Sequence, residues 1–217
     1  MGRSPKDPLE FGLRPIGKIG QQANSTGATE YRIAPGNTNK LYQGQPVIPT
    51  AAGVIDDLQA AAGGTVSIVG VFWGCEYVSS TTGATIWSNT WPGAGADTNY
   101  PVKAFVYDDP MQTFTIATSN VVAAANTEAE IRAAVFANIA FAGGNSGSDT
   151  TGISSATADL NTIAATASLS MRIMGVQDDP DNSDFTVAGI PLIVRLNNHF
   201  NAPNGSIAQG TVSVTGV

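Results

Sequence analysis

The chain of 217 residues carries ten Lys and Arg against seventeen Asp and Glu, with one His, one Cys and only 12% charged residues. A single cysteine excludes an intrachain disulfide and a cysteine metal cluster, and the longest apolar stretch, around Val66 to Cys75, is about half of what a membrane-spanning helix needs. A charged share about half the usual quarter leaves a surface of hydroxyls, amides and small side chains, which a neighbouring protein can cover without stripping many charges of water.

The start, MGRSPKDPLEFG, lacks the apolar core of a secretory signal, so a soluble protein made in a cytoplasm is expected. Residues 1–44 hold little periodicity and are read as an extended N-terminal arm whose order comes from what it lies on. The arm is basic: Arg3, Lys6, Arg14, Lys18, Arg32 and Lys40 face Asp7, Glu10 and Glu30, leaving +3 over the first forty positions. The other four bases face fourteen acids, leaving −10. That split suggests a strap for an acidic protein surface, and it argues against a nucleic-acid grip by the body, which has only Lys103, Arg132, Arg172 and Arg195. Gly12 to Lys18 falls one residue short of a phosphate-binding loop, because Ile19 stands where the magnesium-binding hydroxyl belongs; its surroundings also lack the strand and helix that such a loop joins.

From residue 45 to 217 strand signals dominate and predict one mainly-β body, a barrel or a sandwich. Segments at Gln45 to Pro49, Thr65 to Val78, Thr85 to Ser88, Val102 to Tyr107, Thr113 to Thr118, Leu169 to Val176, Phe185 to Val187, Ile190 to Leu196 and Ile207 to Val214 are rich in Val, Ile, Thr and aromatics between turn residues. Alternation puts Phe114 and Ile116 on one face of their strand. Trp73, Tyr77 and Cys75 sit in an apolar run and read as core, whereas Trp91 and Tyr100, in the glycine-rich TWPGAGADTNYP, read as exposed contact aromatics. One short helix is expected. Thr127 and Glu130 form a capping box, Ile131, Val135 and Ile139 recur at helical spacing over about three turns, and Gly143 with Gly144 stops the pattern. The stretch from Gly143 to Asn161 is read as a long loop. Asp-Asp-Pro occurs twice, at Asp108 and Asp178, as two strand-to-strand corners. His199 is read as an ordinary hydrogen-bonding residue, and no catalytic, cofactor or metal residues are assigned.

The runs GLRPIG, GVFWGCEYVSSTTGATIWSNTWPG, AFVYDDPMQTFTI, MRIMGVQDDPDNSDF and LIVRLNNH, which in order span most of the chain, resemble virion structural proteins of tailed bacteriophages, especially short-tailed marine phages. The resemblance implies a non-enzymatic capsid decoration (cement) protein on the outside of the icosahedral head. Its expected partners are the major capsid protein and two further copies of itself in a trimer, without membrane or cofactor. A shell subunit of that class is built round a long spine helix, which the single short helix here does not supply. The competing reading is a carbohydrate-binding, lectin-like β module displayed on the virion, using Trp91 and Tyr100 as stacking surfaces.

Overall fold

The computed structural model describes residues 10–20, 27–58, 67–120, 122, 125–166, 168–178 and 184–202. The expected strand at Ile207 to Val214, and the bases Arg3 and Lys6, lie outside the described residues. The fold is mainly β with one short helix, as expected. In chain order the elements are β1 (Arg14–Lys18), β2 (Thr29–Ile33), β3 (Leu41–Tyr42), β4 (Gln45–Pro49), β5 (Ile55–Asp57), β6 (Gly70–Val78), β7 (Thr85–Ser88) and β8 (Thr90–Trp91). There follow β9 (Val102–Tyr107), β10 (Gln112–Ala117), α1 (Glu128–Ala133), β11 (Asn138–Ala142), β12 (Thr157–Ala164), β13 (Met171–Val176) and β14 (Pro191–Leu196).

Two antiparallel sheets carry the fold. The first runs β1-β10-β14-β13-β11-β12, and it curls until the chain just past β10 meets β12: Thr118 bridges Ala158, and Ser119 N–H donates to the Ala158 carbonyl at 2.9 Å. Phe114, Ile116, Ile139, Phe141, Leu160, Met171, Ile173, Leu192, Val194 and Leu196 fill the interior of that ring. On the opposite side of β10, Thr113 and Thr115 are also buried. Their hydroxyls donate to Gly17 O at 2.8 Å and to the Gln177 side chain at 3.0 Å, which satisfies both threonines on this covered face, while Nε of Arg195, the cross-strand partner of Thr113, is buried without a partner.

The second sheet runs β2-β9-β6-β4-β5, with β7 sharing the β6 edge that β4 pairs lower down. Ile33, Val47, Ile55, Phe72, Cys75, Tyr77, Val102, Ala104 and Val106 form its apolar face, and the small β3-β8 ribbon lies over them. Ile48, Val71 and Tyr107 point the other way and pack against the cluster of the first sheet, which joins the two sheets into one body.

The described residues of the first 44 do not stand apart from that body. β1 pairs with β10 and β2 with β9, and Leu13, Ile33 and Leu41 are fully buried. These segments are extended and ordered by what they lie on, but what they lie on is the chain's own sheets. Gly12 shows how closely they fit. It adopts a positive φ of 64°, and a Cβ there would come within 2.8 Å of Gly44 O, next to the Leu13 N–H bond to that same carbonyl.

The helix begins as expected, with Thr127 and Glu130 exchanging both capping-box bonds, but it ends at Ala133 after six residues. Phe136 turns the chain at φ 75°, and Ile139 belongs to β11 instead. Ile139 faces the core in either reading, which is why the helical spacing misled. Two further expectations are corrected. Residues 157–161, read as the end of a loop, open β12, whose inward face is supplied by Ala158 and Leu160 with Ile163 packed beside them, while Asp159 and Asn161 interrupt the apolar pattern. Phe185 to Val187 forms a turn rather than a strand. The strand over Thr65 to Val78 begins only at Gly70.

Gly70 lies where β6 meets the end of β9, and a Cβ there would sit 2.2 Å from Tyr107 O. Gly70→Ala is expected to lower stability by about 2–3 kcal/mol through backbone displacement, measured by urea unfolding with an unchanged m-value.

Candidate binding surface

Of the four arm cations among the described residues, two are held in ion pairs. Lys18 Nζ lies 2.6 Å from Asp109, with its side chain 9% exposed, and Lys40 Nζ lies 2.6 Å from Asp149. The segment that nearly matched a phosphate-binding loop is therefore a strand whose lysine faces a carboxylate. Arg14 stacks 4.6 Å over the Phe11 ring, and both line a small cavity of about 40 Å³ with Trp73, Gln43, Gly44 and Ile153. Arg32 is exposed on the edge strand β2 and makes no ion pair among the described residues.

The aromatics divide differently from the sequence expectation. Trp91 is 0% exposed, which corrects its assignment as a contact residue. It pairs with Leu41 in the β3-β8 ribbon, meets Tyr77 edge-on at 5.4 Å, and its Nε1–H donates to Asn37 O at 3.2 Å. The indole fills the gap between ribbon and sheet, a role that its glycine-rich surroundings concealed. Tyr100 is 52% exposed, as expected. The residue that sequence reasoning missed is Trp87, 67% exposed on β7. Its signal was present in the alternation Ile86-Trp87, since Ile86 packs inward and its neighbour must point out.

Trp87 belongs to a row that crosses four strands. Arg32 on β2 is paired with Lys103 on β9, Lys103 with Glu76 on β6, and Glu76 with Trp87 on β7. Direct cross-strand partners share a face, so these four side chains lie side by side on the outer surface of the second sheet. Lys103 Nζ approaches Glu76 at 3.6 Å. In the next row Glu30 is paired with Phe105, and the Trp87 ring stacks on Phe105 at 5.6 Å with the planes 9° apart. Half-buried Trp73 follows, edge-on to Tyr107 at 5.3 Å. At its lower end this face is buried against the first sheet through Val71, Ile48 and Tyr107; at its upper end it is open, aromatic and lined by three cations against two carboxylates.

The remaining titratable candidates are structural. Cys75 is buried beside the Thr90 carbonyl, and burial pushes its thiol up to about 12. Asp178 pairs with Arg132 of the helix at 2.6 Å, while Asp179 and Asp181 lie outside the described residues. His199 is 1% exposed at the junction of the sheets. Its Nδ1 accepts from Asn201 N at 3.1 Å, so the neutral ring carries its proton on Nε2, a buried atom that has no hydrogen-bond partner. Burial pushes His199 down to about 4, against an upward pull from Asp108 and Asp109 and a further push down from Arg195. Among the described residues no helix is long and apolar enough to cross a membrane, and no three His, Cys, Asp or Glu side chains form a group that could hold a metal ion. No family model, curated protein or solved structure matches the chain.

Two predictions follow from this geometry. Trp91→Ala is expected to cost about 3–5 kcal/mol, whereas Trp87→Ala costs about 1 kcal/mol, the worth of its ring stack, in the same chemical denaturation assay. Unfolded His199 takes up a proton at about 6.5 and the folded ring only near 4. Stability therefore falls as pH drops through that window, by about 3 kcal/mol in total. His199→Gln is expected to flatten the pH profile between 6.5 and 4, and an unchanged slope would remove the residue from the explanation.

Proposed function

We propose that this chain is a non-enzymatic virion structural protein, a capsid decoration protein that attaches to the outside of an icosahedral head and stabilises it. The observation that carries this reading is the open upper half of the second sheet. A rigid, antiparallel surface presents stacked aromatics and unmatched cations on a protein that is otherwise acidic and low in charge, which is the composition of a protein-docking face. The resemblance of five segments to phage virion proteins supplies the partner, the major capsid protein, and the trimer as the assembly that would sit at local threefold positions. Repetition of sites over a shell lets modest contacts accumulate into lasting attachment, so no deep pocket is required.

One observation favours a second reading, a carbohydrate-binding module on the virion: the exposed Trp87 ring, held flat by Phe105, is a surface on which a sugar ring can stack. Trp91, which that reading first relied on, is buried.

Heads assembled without this protein, mixed with the purified chain and pelleted, provide the test. Saturable occupancy that declines as salt is raised is expected, because exposed cations contribute to contact. Absence of co-sedimentation at saturating protein in low salt would defeat the decoration reading.

A further inference from the structure

We infer that the open strip from Trp87 to Arg32 is a docking site for an extended acidic segment of a partner protein, with Trp87 and Phe105 as its apolar anchor and Arg32 as its carboxylate receptor. The inference deepens the docking role given above and rests on it for the identity of the partner, though not for the chemistry of the segment.

Arg32 and Lys103 are directly opposed across β2 and β9, and like charges in that position destabilise a sheet. Glu76 relieves only one of them, since it approaches Lys103 at 3.6 Å and leaves Arg32 unpaired. Glu30 stands on the same strand and the same face, yet no ion pair joins it to Arg32. A charge on an edge strand protects against edge-to-edge aggregation, but an acid opposite Lys103 would serve that purpose equally and would stabilise the pair. The base placed there is costly to the fold and useful only to something that brings a negative charge.

The second observation is the neighbouring stack. Trp87 and Phe105 stand on strands separated by β6, and their rings meet across it because Gly74, the β6 partner of Phe105, has no side chain to intervene. The result is a flat, preorganised aromatic surface within one strand of Arg32. Arg is enriched with Trp among the residues that dominate protein interfaces, and a guanidinium binds a carboxylate through two parallel N–H bonds. Counting Arg14 beside Trp73, the face carries Arg14, Arg32 and Lys103 against Glu30 and Glu76, an excess of one positive charge on a chain whose net charge is −7. Charge complementarity thus selects an acidic partner, and the open, strand-wide shape of the strip selects an extended one.

A fluorescein-labelled peptide of about twelve residues alternating Glu and Leu, with its Lys and Leu counterpart as control, tests this by anisotropy on the full chain. The acidic peptide is expected to bind and the basic one to bind about tenfold more weakly or not at all. Trp87→Ala should weaken the acidic peptide about tenfold or more. Arg32→Glu should weaken it as much while raising the melting temperature by about 1–3 °C, because the opposed pair becomes Glu and Lys; a merely structural role for Arg32 cannot give both results. Equal binding of the two peptides, binding untouched by both substitutions, or no binding to the wild type would overturn the inference. So would displacement by neutral oligosaccharides on a glycan array, or a self-association lost in Trp87→Ala. Head attachment that survives Trp87→Ala and Arg32→Glu would leave the decoration role standing and remove this site from it.

Discussion

The turn at Asp108 and Asp109 holds the molecule together, because the chain passes there from the second sheet into the first. Asp108 accepts from Thr29 Oγ1 at 2.7 Å and Tyr31 Oη at 2.8 Å, which fixes the edge strand β2. Asn201, just beyond the last described strand, reaches the same carboxylate at 3.4 Å. Asp109 accepts from Met111 N at 2.8 Å to close the turn and takes Lys18 of β1 at 2.6 Å. Burial alone would raise the Asp109 carboxyl, but Lys18 and the Met111 amide hold it below its ordinary value. One corner therefore secures both early strands and the last described segment. Removal of either member of the Lys18 pair would leave a mostly buried charge without its partner.

That corner gives the charge asymmetry of the sequence a different meaning from a tether. Basic residues of the first forty and acids of the remainder attract one another within one chain, and among the described residues Lys18 with Asp109 and Lys40 with Asp149 are ion pairs between them. The early strands are held by hydrogen-bonded pairing and by buried Leu13, Ile33 and Leu41, with charge assisting. Of the four arm cations among the described residues, Arg14 and Arg32 remain once these pairs are subtracted, both exposed and both on or beside the aromatic face. Among the described residues, the arm's unpaired positive charge lies along one side of a sheet.

How much of this was legible depended on whether a strand owed its existence to its own residues or to its neighbours. Residues 45–49, 85–88 and 102–107 were found at their boundaries, because β-branched and aromatic residues are dense there and turn residues flank them. The capping box was equally visible, since both of its bonds are local. β1, β2 and β12 were not, because they hold few apolar residues and become strands by pairing with β10, β9 and β11. The tryptophans show the same limit at the site. Exposure of Trp87 follows from alternation, but burial of Trp91 depends on a ribbon folding over a distant sheet, and nothing in the residues beside it records that.

The aromatic face itself depends on an irregularity that periodicity alone cannot show. Between Phe72 and Gly74 the register of β6 against β9 shifts by one residue, a β-bulge. Phe72 stays on the inner face, and beyond the bulge Cys75 and Tyr77 return to it, so the apolar cluster is continuous even though strict alternation would have turned Cys75 outward. The extra residue is accommodated at Trp73 and Gly74. Trp73 is carried toward Tyr107 and Arg14, and Gly74 leaves the gap across which Trp87 reaches Phe105. Gly74 is also the residue that the bulge tolerates best, since a Cβ there would stand only 3.0 Å from Ser88 O. One inserted position thus preserves the core on one side of the sheet and builds the aromatic surface on the other. The two faces could not have been specified independently.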